Sequence, residues 1–181
     1  MRELSLHILD LVQNSIEAGA NKVTLDIIED IHGMDTFLIC VTDNGRGMDE
    51  ATCKKVIDPF VTTRTTRRIG LGLPLIEMST KRCNGSLTVT STLGCGTVVE
   101  ALYQHSHLDR PPLGKISETI KSIVIANPKL HFIYYHTVGQ AVFALTTQDL
   151  IEILGNIPLT QPDVLVWLNE YLTHNEMTLY K

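Results

Sequence analysis

Four short groups of residues carry side chains or backbone suited to one ligand. Asp10 and Asn14 are four residues apart, so on a helix they stack on one face, with His7 and Glu17 at three-residue steps on the same stripe. A carboxylate and an amide carbonyl on adjacent turns are hard oxygen ligands, suited to Mg²⁺ that keeps waters and phosphates around it. The same spacing also suits a solvated polar face. Asp43-Asn44-Gly45-Arg46-Gly47-Met48 follows an apolar run directly. A carboxylate at a strand end can accept a hydrogen bond from an exocyclic amine. Gly45 and Gly47 let backbone approach a flat ring, and the Met48 sulfur can pack on it. An ordinary Asp-Asn-Gly turn has the same sequence. Gly70-Leu71-Gly72 opens a helical pattern, and helix N-terminal N–H groups bind phosphate; Arg64, Arg67 and Arg68 bring positive charge there. Solvated arginines before a glycine-rich helix start would read the same way. In Gly94-Cys95-Gly96-Thr97 a hydroxyl enters a strand from a tight turn. It could pair with a ring nitrogen or with Asp43, or simply belong to a hairpin.

The elements that must hold these groups follow from periodicity. Leu4, Ile8, Leu11, Val12 and Ile16 predict an amphipathic helix over residues 2–18, ended by Gly19. Lys22–Glu29 and Thr36–Thr42 predict strands joined by a turn at His32-Gly33. A short helix is expected near Asp49–Val56, and Asp58–Ile69, rich in Thr and Arg without a clean period, reads as a mobile loop. Leu71–Lys81 reads as a helix that tolerates Pro74 in its first turn. Strands are expected at Ser86–Ser91 and Thr97–His105. Residues 106–115, with Pro111-Pro112 and Gly114, read as a linker. Beyond it come a helix near Ile116–Ala126, a hairpin of His131–Thr137 with Gln140–Leu145, and helices near Thr147–Leu154 and Pro162–Leu172. This mixture predicts an α+β two-layer sandwich, one mixed sheet with helices on one face.

Composition narrows the function classes. The chain has 181 residues, 44% of them apolar and 19% charged, so it can bury a core. A net charge of −5 disfavours a broad nucleic-acid-binding face. No apolar run approaches the ~20 residues of a membrane span. Arg2, Glu3 and Asp10 interrupt the start, so no signal peptide is expected. Cys40, Cys53, Cys83 and Cys95 have no CxxC spacing and read as reduced thiols of a cytoplasmic protein. His105 and His107 lack a partner set at metal-ligand spacing apart from Asp109.

Taken in order, the four groups resemble the boxes of the GHKL superfamily of gyrase-like, Hsp90-like, histidine-kinase and MutL-type ATPases. Asp10…Asn14 stands as the N box, Asp43-x-Gly45-x-Gly47 as the DxGxG box, Gly70-Leu71-Gly72 as the second glycine box and Gly94-x-Gly96-Thr97 as the GxGT box. Residues Asn14–Ala20 (NSIEAGA) look most like the MutL version, and Asp58–Arg64 (DPFVTTR) like the histidine-kinase segment that opens the ATP lid. The resemblance covers about residues 4–105 and implies a Bergerat ATP-binding fold over 1–105. A small α+β appendage at 116–181 would follow the linker; Ile123–Leu150 is similar to part of the MutL-type transducer region.

The same resemblance implies roles. Asn14 would bind Mg²⁺, Asp43 would hold the adenine amine, and Gly45, Gly47 and Met48 would shape the adenine wall. Gly70, Leu71 and Gly72 would meet the phosphates, Arg64 would be the lid cation, Thr97 would complete the adenine end, and Asp10 would be the catalytic base. Three positions depart from the family: Asp10 stands where Glu is usual, Arg68 where a Gly opens the second box, and Glu17 where kinases often carry Lys. The expected function is an ATP/Mg²⁺-binding regulatory or coupling module with slow hydrolysis. A stand-alone protein kinase like the anti-sigma-factor kinases and a non-catalytic interaction domain are the alternatives. A protein partner is expected, and a homodimer is compatible.

Overall fold

The structure is a computed structural model that describes residues 3–56, 72–155 and 157–181. Its elements run α1 (Leu4–Glu17), β1 (Lys22–Asp30), β2 (Thr36–Asp43), α2 (Glu50–Lys55), α3 (Gly72–Arg82), β3 (Ser86–Thr92) and β4 (Gly96–Gln104). They continue with α4 (Ile116–Ala126), β5 (His131–Val138), β6 (Ala141–Thr146), α5 (Thr147–Leu154) and α6 (Pro162–Thr178). The loop expected at Asp58–Ile69 lies outside the described residues.

The strands form a single six-stranded sheet in the order β3-β4-β2-β1-β5-β6. The β1–β5 pair is parallel and the other pairs are antiparallel. Side chains alternate across a strand, and Val23, Leu25 and Ile27 of β1 are fully buried while Thr24 and Asp26 between them are half-buried. Phe37, Ile39 and Val41 of β2, and Val99, Ala101 and Tyr103 of β4, continue the buried face. Against it pack Leu4, Ile8, Leu11 and Val12 of α1, Ile76 of α3, Ile120 and Ile123 of α4, and Leu168 and Leu172 of α6. This is the expected mixed α/β sandwich. Its opposite sheet face carries exposed Glu100, Tyr135 and Val142.

Among the described residues, β5 and β6 join the same sheet, and α4, α5 and α6 share a hydrophobic cluster with α1, β1, β2, α3 and β4. The 106–115 segment is tied down as well. Leu4 N–H donates to the Pro112 carbonyl and Ser5 N–H to the Leu113 carbonyl, each at 2.9 Å. These bonds satisfy N–H groups of α1's first turn, where Glu3 makes no side-chain cap. In α3, Pro74 sits in the first turn, where a missing N–H costs no helical bond.

The helix expected to end at Leu172 runs on to Thr178. Its extra turns reach a buried polar cluster. Glu176 accepts from the Tyr134 hydroxyl at 2.8 Å and meets His136 Nδ1 at 2.7 Å. His136 Nε2 is 3.1 Å from Glu29 Oε1, and Glu29 is also bonded by Tyr180 and by His105 at 2.7 Å. Burial alone would pull the His136 pKa down, but hydrogen bonds to Glu176 and Glu29 raise it to about 9. Burial likewise pushes Glu29 up, and its bonds from His136, Tyr180 and His105 more than reverse this, to about 2. His105 therefore serves Glu29, while His107 accepts from its neighbour Asp109 N–H.

The cluster has a definite pH signature. His136 is raised, so its contribution is complete below its unfolded pKa near 6.5 and is lost as pH climbs through about 9. Glu29 is lowered, so its contribution is complete above about 4.5 and is lost as pH falls toward about 2. Chemical denaturation should therefore show stability from this cluster greatest between about pH 4.5 and 6.5 and falling toward pH 9. His136→Gln should cost about 3–5 kcal/mol at pH 6 by leaving buried carboxylates uncompensated, and should flatten the fall between pH 6.5 and 9.

Candidate functional site

The far end of the buried sheet face is polar. Register pairs Val23 with Asp43, Asp43 with Thr97 and Thr97 with Ser91, so these side chains form one row across β1, β2, β4 and β3. Over this row lies the C-terminal half of α1. Ser15, nearly fully buried, points its hydroxyl 2.8 Å from Asp43 Oδ2, while Gly45 N–H donates to Asp43 Oδ1 at 2.8 Å. Both carboxylate oxygens are thereby oriented, and each retains acceptor capacity.

The loop after β2 is fixed at three points. Arg46 N–H donates to the Ala18 carbonyl at 2.9 Å, and Gly94 N–H to the Arg46 carbonyl at 2.7 Å. The Asn44 amide oxygen accepts from the N–H groups of Asn21 and Lys22. Gly47 has φ +62°, and a Cβ there would run into the Thr92 carbonyl. Glycine is thus required twice over, by conformation and by close backbone approach. Met48 N–H donates to Ser91 Oγ at 2.8 Å. That hydroxyl also lies 2.9 Å from the Gly96 carbonyl and 2.9 Å from Thr97 Oγ1.

One turn back along α1, Asn14 is exposed and Asp10 half-buried. A Cβ on Gly72, at the start of α3, would collide with the Asp10 carboxylate. The N-box carboxylate and the last glycine of the second box are therefore neighbours. Burial, with Glu17 nearby, holds the Asp10 pKa above the usual carboxylate value. His7, further along α1, is buried, and that burial lowers its pKa.

The fold thus brings together Asp43, Gly45, Gly47, Met48 and Thr97 at one end and Asp10 and Gly72 at the other, with Asn14 on the connecting helix. Arg64, Gly70 and Leu71 lie outside the described residues. Two hydroxyls, Ser15 and Ser91, were missed from sequence. Ser91 had a signal: it continues the inward alternation of Leu87 and Val89, so it is a polar residue on an apolar face. Ser15 directly follows Asn14, but only the helix orientation shows that Ser15 faces the sheet and Asn14 does not.

The sequence profile of the histidine kinase-, DNA gyrase B- and HSP90-like ATPases matches residues 2–106. The chain belongs to this family. Curated relatives of this GHKL domain include a putative sensor protein of Shewanella frigidimarina, 30% identical over 60% of this chain and 17% of its own length. The DNA mismatch repair protein MutL of Porphyromonas gingivalis is 27% identical over 78% of this chain and 28% of its own. The sensor histidine kinase ZraS of Salmonella typhimurium is 30% identical over 50% and 19%. The GHKL chain therefore spans less than a third of the length of these relatives. Among solved structures, the Aquifex aeolicus MutL ATPase domain complexed with ADP superposes with a TM-score of 0.55 at 19% identity, covering 85% of this chain and 69% of that one. The N-terminal domain of a DNA repair protein gives 0.56 at 17% identity, covering 88% and 59%. Both share the GHKL fold found here, and ATP binding is consistent with it.

Two glycines separate strain from collision. Gly47→Ala should destabilise the protein by more than about 1 kcal/mol, because Ala at positive φ is strained and its Cβ meets backbone. Gly139, φ +58° with open space around it, should tolerate Ala with a smaller loss in the same thermal unfolding assay.

Proposed function

We propose that this GHKL domain is an ATP- and Mg²⁺-binding regulatory or coupling module that hydrolyses ATP slowly. The observation that carries the proposal is Asp43, oriented by Ser15 and Gly45 at a strand end, opposite Thr97 and beside a glycine-walled loop. In this reading Asp43 accepts the exocyclic amine of adenine, Gly45, Gly47 and Met48 wall the ring, and Thr97 closes that end. Gly72, with Gly70, Leu71 and Arg64, serves the phosphates. The exposed Asn14 amide is the protein ligand assigned to Mg²⁺, which when bound would neutralise phosphate charge.

Asp10 is the proposed base. Its raised pKa moves it toward the range of a general base. Its side chain is one carbon–carbon bond, about 1.5 Å, shorter than the glutamate usual there. A misplacement of about 1 Å can cost on the order of 100-fold in rate, which is the source of the slow turnover. No helix among the described residues is long and apolar enough to cross a membrane. A cytoplasmic location would supply ATP and keep the four cysteines reduced.

The sensor histidine kinase ZraS among the relatives supports a second reading, in which the phosphoryl group passes to a partner protein rather than to water. Radiolabelled ATP with cell-extract fractions decides between them. Free phosphate supports the ATPase module, labelled protein the kinase, and neither a binding domain only.

Asp43→Asn should lower ATP affinity about 10- to 150-fold, the loss of a charge-assisted hydrogen bond of about 1.5–3 kcal/mol, with unchanged unfolding. Isothermal calorimetry showing wild-type affinity in the folded variant would sink the adenine assignment. Asp10→Glu should raise single-turnover hydrolysis at nearly constant ATP affinity, and Asp10→Asn should abolish it. A rate unchanged or lowered in Asp10→Glu would mean that reach does not limit the reaction.

A further inference from the structure

The two outer strands of the sheet, β3 and β6, each have one side that no strand of the sheet pairs. Such an edge is a template for another strand unless something blocks it. At β3 something does. α2 packs on it, the Cys53 thiol donates to the Val89 carbonyl at 3.4 Å, and Lys54 and Lys55 stand in the last turn of α2. At β6 these devices are missing. Ala141–Thr146 (AVFALT) has no charged residue and no proline, and it pairs with β5 through six consecutive residues without a bulge. No strand lies beyond it among the described residues, and α5 packs on both β5 and β6, which places it over the sheet face. The free groups of this edge can be assigned. Gly139-Gln140 is a two-residue turn with Gly139 at φ +58°, a turn that closes a hydrogen-bonded Val138–Ala141 pair. Bonded and non-bonded pairs alternate along antiparallel strands. Ala141, Phe143 and Leu145 therefore spend their N–H and C=O groups on β5, while Val142 and Ala144 turn theirs outward.

We infer that a second copy of this chain docks antiparallel on the β6 edge, about a two-fold axis at Phe143, and joins two six-stranded sheets into one. Val142 of each copy then lies opposite Ala144 of the other, and the two exchange the N–H and C=O groups that neither sheet uses alone. A two-fold axis asks a surface to match itself, and this edge does. It has no charge to repel its copy. The nearest acids on the following helix, Asp149 and Glu152 of α5, come after the end of β6. Antiparallel pairing sets that end against the uncharged Gly139-Gln140 turn of the other copy, so the acids do not face each other. The surrounding surface is apolar. Val142 is 61% exposed and Ile153 65%, and Ile151 and Ile157 are exposed as well. Pairing of a few edge residues covers less than the ~800 Å² per partner of a stable interface, so the dimer needs these aliphatics and is a weak one, with a dissociation constant on the order of micromolar. β5 separates this edge from β1, the nearest strand of the Asp43 row, so the interface neither uses nor depends on the nucleotide reading.

The test is sedimentation equilibrium on the whole chain without nucleotide. Between about 1 and 100 µM the mass should climb from 20.1 kDa toward twice that value. Val142→Lys puts a charge against its own copy and should raise the dissociation constant at least about 10-fold. Ala144→Pro should do the same, because it removes an outward N–H and leaves the bonds to β5 in place. Met34→Lys, an added charge at an exposed position of the β1–β2 turn, should leave the dissociation constant unchanged. Hydrogen exchange on the wild type reads the same surface without any substitution, and so holds even if a variant does not fold. The amides of Val142 and Ala144 should gain protection as concentration rises, while those of Ala141 and Phe143 are protected throughout. A mass of 20.1 kDa at every concentration overturns the inference and leaves the edge to a strand of another protein. A dimer that survives both β6 variants, or that forms without protecting Val142 and Ala144, is built on another surface and overturns it too.

Discussion

The antiparallel register of β2 against β4 is the constraint on which the site depends. It sets Asp43 opposite Thr97 and, through β3, Thr97 opposite Ser91. Side chains alternate with a period of two, so a slip of one residue would turn Asp43 to the open sheet face and bring Thr42 inward. The apolar rows of Phe37, Ile39 and Val41 against Tyr103, Ala101 and Val99 hold the register, because any slip would also expose them. The proposed recognition chemistry is therefore an extension of core packing. The same alternation that buries six apolar side chains delivers a carboxylate and a hydroxyl to the sheet's end.

The loops then work as spacers of fixed geometry. Asn44 ties the start of the Gly45–Met48 turn to β1, Arg46 ties its middle to α1 and to the β3–β4 turn, and Met48 ties its end to Ser91. With its polar groups committed this way, the turn is preformed, with little ordering left for the ring proposed to pack on it. Asp10 against Gly72 plays the corresponding part at the other end, where a missing side chain on α3 makes room for a carboxylate on α1.

Most of this architecture was legible because its signals are local. The period of Leu4, Ile8, Leu11 and Val12, the alternation through β1 and β2, and the order of the glycine boxes each sit within a short window. What was not legible depends on distant partners. The last turns of α6 contain Thr173, His174 and Asn175, poor helix formers, and they persist because Glu176 is drawn to His136 and Tyr134 on β5. The part played by Ser15 depends on the rotation of its helix over Asp43, which no local pattern encodes. The placement of β5 beside β1 had no signature either, since a parallel pairing leaves no turn between its strands.

That last pairing bears on how the molecule is made. On that side Lys22 to Glu29 find their partners only at His131 to Val138, so four of the six strands can be translated while one side of β1 still lacks its neighbour. A nascent chain in that condition presents a row of unpaired amides and carbonyls flanked by Val23, Leu25 and Ile27, the kind of surface on which chains stick to one another. Such long-range closure slows folding. On the ribosome, the carboxyl-terminal third therefore acts as a late-arriving guard for an edge that the first thirty residues have already created.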